Sequence, residues 1–138
     1  MKIIGLIPAA GHATRLGSAI AGSKELIPIA TTGSPARPVC EYLLLQMRRA
    51  GIERVVMVIR DDKQDIPARL KTGADLGIQI EYVMTSPTPG APHSLARAYA
   101  QTRGATIVMG FPDILVREHD CIARLLDAFR ALPVYVLP

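Results

Sequence analysis

Apolar and polar positions alternate along this chain in two rhythms, one typical of buried strands and one typical of amphipathic helices. Short runs rich in Ile, Val and Leu predict β-strands at residues 3–7, 54–59, 78–84, 106–110 and 134–137. Between them, apolar residues recur three or four positions apart and predict helices at 38–50, 63–72, 93–103 and 119–131. The chain therefore predicts strand and helix in regular alternation.

This alternation predicts an α/β fold, with an open, mostly parallel, Rossmann-like sheet and helices on both faces. Ligands of such sheets bind beyond the carboxyl ends of the strands. We expect the binding crevice at the ends of the first and fourth predicted strands, 3–7 and 106–110. A length of 138 residues predicts a single domain.

Composition narrows the class of partner. The net charge of +4 favours anionic ligands, but Lys and Arg are scattered and only four Tyr and two Phe are present, so we expect no nucleic-acid partner. No apolar run reaches the length of about 20 residues that a membrane span needs. Since the chain enters its first strand directly, with no signal peptide, we expect a cytoplasmic protein.

The two cysteines do not suggest a covalent or metal site. Cys40 and Cys121 lie within apolar helical patterns and have no Cys-x-x-Cys or Cys/His spacing around them. We expect two buried free thiols.

Residues 8–38 have no clear periodicity, and we predict a long loop. Residues 31–35 supply turn chemistry, Thr-Thr-Gly-Ser-Pro. Long irregular segments inside a compact domain are often functional, so function is expected here.

The first strand runs into Ala9, Ala10 and Gly11, which leave the main-chain N–H groups accessible to a flat or anionic ligand. Arg15 adds a planar fork of donors for phosphate oxygens, and Lys24 adds a mobile point charge. Together they would hold a polyphosphate; the alternative is two ordinary surface cations. The glycine spacing excludes both a dinucleotide fingerprint and a P-loop.

Asp residues follow two of the predicted strands. Asp113 follows the strand at 106–110, at the edge where ligands bind, and suits Mg²⁺, although an Asp after Pro is also a common turn residue. Asp61 and Asp62 follow the strand at 54–59 and are better explained as acidic residues at a helix N-terminus than as metal ligands. His93 is likewise expected to be a helix-end residue.

Residues 9–16, Ala-Ala-Gly-His-Ala-Thr-Arg-Leu, and residues 24–28, Lys-Glu-Leu-Ile-Pro, together resemble a family signature. The family is the nucleoside-diphosphate-sugar pyrophosphorylases, or sugar-phosphate nucleotidyltransferases, whose signature is A-x-G-x-G-T-R-L followed by K-x-x-x-P. The second segment looks most like the uridylyl- and thymidylyltransferases that act on glucose 1-phosphate. Ala13 replaces the second glycine of the signature, and Gly17 stands where a proline is common.

The resemblance implies a fold of the nucleotide-diphospho-sugar transferase type and a transfer of nucleoside monophosphate from a nucleoside triphosphate to a sugar 1-phosphate. It implies catalytic roles for Arg15 and Lys24 and coordination of Mg²⁺ by Asp113. Residues implied in nucleotide binding are Ala9, Ala10, Gly11, Thr14, Thr85 and Ser94.

Members of the family are commonly longer, so the resemblance covers their nucleotide-binding half and the domain is expected to be incomplete at its C-terminus. It also allows for a homo-oligomer. Two alternatives stay open, a non-catalytic nucleotide-binding or phosphate-binding module and a cytidylyltransferase or molybdopterin-type nucleotidyltransferase.

Overall fold

The computed structural model of the protein describes residues 1–12, 19, 21–87 and 89–132. Its strands and helices, in chain order, are β1 (Ile3–Ala9), β2 (Pro28–Thr31), β3 (Ser34–Pro38), α1 (Val39–Arg49), β4 (Arg54–Arg60), α2 (Asp65–Leu70), β5 (Gln79–Thr85), α3 (Ala91–Ala96), α4 (Tyr99–Thr102), β6 (Thr106–Met109) and α5 (Cys121–Ala131). The predicted strand at 134–137 lies outside the described residues.

The main sheet has four strands in the order β5-β4-β1-β6, and each neighbouring pair is parallel. β1 therefore lies inside the sheet, between β4 and β6. The pairing of Ile4 with Ile107 and of Leu6 with Met109 brings the carboxyl ends of β1 and β6 side by side. The predicted parallel α/β sheet is confirmed, and the segments that follow β1 and β6 leave it at the same edge.

Helices cover both faces of this sheet, as predicted. Successive strand residues point to opposite faces, and apolar side chains are buried on each face. On β4, Val55, Met57 and Ile59 pack in a core with residues of α1, α2 and α5. Val56 and Val58 point to the other face, where they pack with residues of α3 and the α3–α4 junction. All five side chains are fully buried.

α1 packs closely over β1 at Gly5. A Cβ atom at this position would lie 2.7 Å from Met47 Sδ and 2.8 Å from Val55 Cγ2, both shorter than van der Waals contact. The absence of a side chain at Gly5 therefore lets the helix approach the central strand and fixes its height above the sheet.

The prediction that residues 8–38 form one long loop is wrong. Lys24–Leu26 is a short 3-10 helix, and β2 and β3 pair antiparallel as a hairpin with Gly33 in the turn at φ +79°. Prolines in both strands and mostly exposed side chains remove the alternation by which strands are recognised. The predicted turn chemistry at 31–35 does lie at the hairpin turn.

All four predicted helices differ from the observed ones by one or two residues at one end or both, and one of them is also divided. The helix predicted at 93–103 begins at Ala91, since Pro92 is accommodated in the first turn, and it is divided into α3 and α4.

Among the described residues, no helix is both long enough and apolar enough to cross a bilayer. Cys40 is buried as expected, whereas Cys121 is partly exposed, and both are free thiols.

Candidate functional site

A cavity of about 260 Å³ lies at the carboxyl ends of β1 and β6. It contains five of the residues that the sequence indicated, namely Ala10, Gly11, Lys24, Ser94 and Asp113. Its other lining residues are Pro8, His12, Glu25, Gly90, Ala91 and Phe111. The turn at Ala10 and Gly11, Lys24 and Asp113 thus lie in one cleft. This cleft is at the edge of the sheet where α/β proteins bind ligands.

Lys24 and Asp113 form an ion pair inside this cavity. The Lys24 Nζ atom lies 2.5 Å from Asp113 Oδ2, although the residues are 89 positions apart. Partial burial raises the pKa of the Asp113 carboxyl, but the hydrogen bond and positive charge of Lys24 outweigh this, so the pKa lies below its usual range. Asp113 is therefore a charged carboxylate at neutral pH.

The 3-10 helix that carries Lys24 is attached to the start of α2. The Ser23 N–H donates to Asp65 Oδ2 and the Ser23 hydroxyl donates to Asp65 Oδ1, both at 2.7 Å. Partial burial raises the pKa of Asp65, but the bonds from Ser23 and the Ile66 N–H outweigh it and hold the pKa below its usual range. The charged carboxylate of Asp65 thus holds Ser23, the residue before Lys24.

The segment after Lys24 is held by a buried ion pair that the sequence analysis missed. Lys63 Nζ donates to Glu25 Oε1 at 2.9 Å, to Glu25 Oε2 at 3.0 Å and to the Ala9 carbonyl oxygen at 2.9 Å. Lys63 is 6% exposed and Glu25 is 1% exposed. A Lys beside Asp61 and Asp62 has the pattern of a solvated surface, so nothing in the local sequence marks it as buried.

Arg60 holds the turn after β1 from the neighbouring strand. Its Nη1 atom donates to His12 Nδ1 at 2.7 Å and contacts the Gly11 carbonyl oxygen at 3.4 Å. Its Nε and Nη2 atoms donate to Asp62 at 2.7 and 2.8 Å, and this hydrogen bond raises the pKa of Arg60 and lowers that of Asp62. Asp62 is therefore engaged with Arg60.

The acidic residue in the first turn of α2 is Asp65, because the helix begins there and not at residue 63. The predicted role of Asp61 and Asp62 as acids at that helix terminus is therefore wrong. His93 lies within α3 and is exposed, in agreement with a helix residue outside the cavity lining.

Two of the predicted nucleotide-binding residues that the structure describes, Ala9 and Thr85, are not among those that line the cavity. Ala9 is buried, with its carbonyl oxygen bonded to Lys63. Thr85 is buried at the end of β5, where its hydroxyl donates to the Ser86 carbonyl oxygen at 3.0 Å. Thr14 and Arg15 lie outside the described residues. Ser94, which does line the cavity, is buried and donates to the Gly90 carbonyl oxygen at 3.3 Å.

A larger cavity, of about 660 Å³, lies between the β2–β3 hairpin, α1 and residues 115–119. Arg37, Arg49 and Arg117 are among its lining residues, but none of the residues that the sequence indicated is. Because the predicted residues converge on the smaller cavity, we take that cavity as the candidate site.

Among the described residues, no group of three or more His, Cys, Asp or Glu side chains is arranged to hold a metal ion alone. An ion that also has ligands from a bound nucleotide needs fewer groups from the protein. Magnesium is commonly held by one or two carboxylates together with substrate phosphates and water. Asp113 supplies one charged carboxylate at the cavity wall.

Curated proteins similar to this chain include two nucleotidyltransferases. The chain is 25% identical over 111 residues to the low-salt glycan biosynthesis nucleotidyltransferase Agl11 of Haloferax volcanii, a match covering 80% of this chain and 29% of Agl11. It is 33% identical over 89 residues to a glucose-1-phosphate thymidylyltransferase of Streptomyces griseus, covering 64% of this chain and 24% of that protein. With the bifunctional protein GlmU of Rhizobium johnstonii, 30% identity over 117 residues covers 85% and 22%.

Solved structures show the same fold. A Bacillus anthracis protein assigned as a glucose-1-phosphate thymidylyltransferase, crystallised with sucrose, superposes with a TM-score of 0.83 at 17% identity, covering 94% of this chain and 50% of that one. A UDP-glucose pyrophosphorylase in complex with UDP-glucose gives a TM-score of 0.75 at 19% identity, covering 94% and 54%.

The chain therefore spans about a quarter of the length of its curated relatives and about half of the structural ones. The relatives confirm the resemblance to sugar-phosphate nucleotidyltransferases that residues 9–16 and 24–28 indicated. The family profile of the MobA-like NTP transferase domain matches residues 5–137, almost the entire chain, and the protein belongs to that family.

Proposed function

We propose that this protein transfers a nucleoside monophosphate from a nucleoside triphosphate to a sugar 1-phosphate and releases pyrophosphate. The observation that carries the proposal is the meeting of Lys24, Asp113 and the turn at Ala10 and Gly11 in one cavity at the carboxyl edge of the sheet. The family and its sugar nucleotidyltransferase relatives support the same reaction class.

In the proposed reaction, an oxygen of the sugar 1-phosphate attacks the α-phosphorus of the triphosphate. The bond from the α-phosphorus to the bridging oxygen breaks, and its electron pair leaves with pyrophosphate. Such a transfer requires positioning and charge neutralisation more than covalent chemistry from the protein. Lys24 would orient the phosphates near the attacked phosphorus, and Arg15 would neutralise charge on the leaving pyrophosphate.

The turn after β1 is the proposed contact for the nucleotide. A Cβ atom at Gly11 would meet none of the described residues within 4 Å, so packing does not require glycine there, and the open backbone suits the close approach of a ligand. Ala10 and Ser94 line the same cavity. Ala9, Thr14 and Thr85 belong to the proposed nucleotide-binding set through the family resemblance alone, because Ala9 and Thr85 are buried and do not line the cavity.

Asp113 is the residue that would hold Mg²⁺. When bound with the triphosphate, the ion would neutralise phosphate charge and fix the geometry of the phosphates. Lys24 lies within reach of the same phosphates, since its ammonium contacts the Asp113 carboxylate.

A second candidate function is a nucleotide-binding module without turnover. It is supported by the same cavity, because Lys24 and the open turn at Ala10 and Gly11 would be sufficient to hold the phosphates of a nucleotide. A cytidylyltransferase or molybdopterin-type activity is the third candidate, and the match to the MobA-like family is compatible with it.

For all three candidate functions, the proposed location is the cytoplasm. The proposed assembly is a homo-oligomer, with no nucleic-acid or membrane partner.

Pyrophosphate release distinguishes these candidates. The protein would be incubated with each common nucleoside triphosphate and Mg²⁺, in separate reactions with glucose 1-phosphate, with a non-sugar acceptor or with no acceptor, and pyrophosphate would be measured by a coupled assay. Release that requires the sugar phosphate supports the proposed reaction. Calorimetric binding of a triphosphate with no release under any condition supports the binding module, and release only with a non-sugar acceptor supports the third candidate.

A further inference from the structure

Lys63 is a buried cation whose ammonium contacts two segments that flank the candidate site. It donates to the carbonyl oxygen of Ala9, the last residue of β1, and to both carboxylate oxygens of Glu25, in the 3-10 helix. These acceptors are 54 and 38 residues away in sequence. Lys63 thus connects the small-residue turn with the helix that carries Lys24.

A buried ion pair contributes little to folding by itself. Removing two charges from water costs free energy that their attraction barely returns, and apolar residues of similar volume often do as well or better. The Lys63–Glu25 pair, with 6% and 1% exposure, is in this class. Apolar residues would not reproduce the directional hydrogen bonds of this pair. The ammonium of Lys63 holds one carbonyl group and one carboxylate at hydrogen-bonding distance.

The position held in this way is that of Lys24. Glu25, immediately after it, is held by Lys63, and Ser23, immediately before it, is held by Asp65 at 2.7 Å through both its N–H and its hydroxyl. Both neighbours of Lys24 are thus attached to residues 63–65, between β4 and α2. The side chain of Lys24 extends from this attachment into the cavity, to Asp113.

We propose that Lys63, through its buried pair with Glu25, is a positioning residue that fixes the Lys24 ammonium relative to the turn at residues 9–11. The proposal rests on the proposed function, because its consequence for catalysis is the placement of Lys24 against the phosphates of the substrate. Lys63 itself does not touch the substrate. Its neutralisation by Glu25 and its contact with Ala9 leave no donor directed into the cavity.

The test removes both charges, because losing one would leave the other buried without a partner. The double variant Glu25→Gln/Lys63→Met is compared with Arg54→Met/Glu81→Gln, which removes the ion pair between β4 and β5. Misplacement by about 1 Å can cost about 100-fold in rate, so we expect the Glu25/Lys63 variant to lose about 10- to 100-fold in kcat. The KM for the triphosphate should change by less than about threefold, because other groups supply most of the binding. The control should keep the wild-type kcat.

A double-mutant cycle separates positioning from a structural role. If Lys63 acts through Lys24, adding Glu25→Gln/Lys63→Met to Lys24→Ala should cause no further loss of kcat. A merely structural role would multiply the two losses. A wild-type kcat in the Glu25/Lys63 variant, or fully multiplicative losses, would overturn the proposal.

Amide hydrogen exchange keeps the proposal testable if the wild-type protein has no turnover, an outcome that would count against the proposed function alone. The N–H groups of Leu26 and Ile27 close the 3-10 turn by donating to Ser23 and Lys24. We expect these two amides to exchange at least about tenfold faster in the Glu25/Lys63 variant than in the control. Unchanged protection at both amides would overturn the positioning role.

Discussion

Lys24 and Asp113, the cation expected to contact phosphate and the carboxylate expected to hold magnesium, are bonded to each other across the candidate site. The distance from Lys24 Nζ to Asp113 Oδ2 is 2.5 Å, and the two side chains are 25% and 38% exposed. In this ion pair, each group neutralises the charge of the other. A nucleotide phosphate that binds Lys24 must compete with the Asp113 carboxylate, and this competition has measurable consequences.

The substitution Asp113→Asn should separate magnesium-dependent from magnesium-free binding. Loss of the carboxylate should lower turnover at least about 100-fold if Asp113 holds the metal of the substrate. In the same variant, triphosphate without Mg²⁺ should bind more tightly, by about two- to fivefold, since a partly exposed ion pair is worth at most about 1 kcal/mol. Calorimetry with and without a chelator measures both affinities.

Asp75→Asn is the matched control for this experiment, because Asp75 is an exposed carboxylate in the 3-10 helix Ala74–Leu76, outside the cavity lining. It should leave turnover and affinity unchanged. Wild-type turnover in Asp113→Asn would exclude the proposed metal role of this carboxylate.

Arg15→Ala tests the residue on which the family resemblance depends most. We expect kcat to fall about 100- to 1,000-fold, as when one donor to developing charge is removed from an active site. Arg103→Ala is the control, since this exposed arginine follows α4 and precedes β6, at the amino end of the sheet opposite the cavity. Pyrophosphate release by the two variants decides the matter, and equal rates would remove Arg15 from the proposed mechanism.

The sequence was sufficient for the inner strands of the sheet, β1 and β4, because both are buried on both faces. The apolar runs now assigned to β1 and β4 are continuous, and continuous apolar runs between helical patterns are typical of parallel sheets. The β2–β3 hairpin was not predicted, because its burial pattern is mostly exposed and prolines interrupt it. Strand signals depend on burial, and this hairpin has little.

The candidate site likewise contains residues that the sequence indicated and residues that it did not. Lys24 and Asp113 were found because their residue types and spacing carry chemistry that can be recognised locally. Lys63 and Glu25 were missed, because a buried ion pair between residues 38 positions apart has no local pattern. Arg60, which holds the turn through His12 and Gly11, was missed for the same reason. Residues expected to bind a ligand were more visible in the sequence than the residues that position them.

The two thiols should differ in reactivity. Burial, reinforced by the negative charges of Glu41 and Glu25, raises the pKa of Cys40 to about 12, so almost no reactive thiolate is present at neutral pH. Cys121 is partly exposed and contacts Gln46 Oε1 at 3.1 Å. We expect an aromatic disulfide reagent at pH 8 to modify Cys121 in the folded protein and Cys40 only after denaturation.

The variant Cys121→Ser supplies the control for this titration. It should leave no thiol that reacts in the folded state and one that reacts in denaturant. Equal reaction of both cysteines in the folded wild-type protein would contradict the burial of Cys40.

Asp65 should make folding stability depend on pH, because its charged form accepts two hydrogen bonds from Ser23. Its pKa is lowered in the folded state, since those bonds outweigh partial burial. A carboxyl whose pKa is depressed by folding stabilises the protein above its ordinary pKa, near 4, and the stabilisation is lost as pH falls through the folded value. Asp65→Asn should therefore lower the free energy of unfolding by about 1 kcal/mol at pH 7, and urea denaturation should show this difference shrinking toward zero as pH falls through the lowered pKa of Asp65. Asp75→Asn serves as the charge control, and a difference for Asp65→Asn that stays constant with pH would show that Ser23 does not depend on the ionised carboxylate.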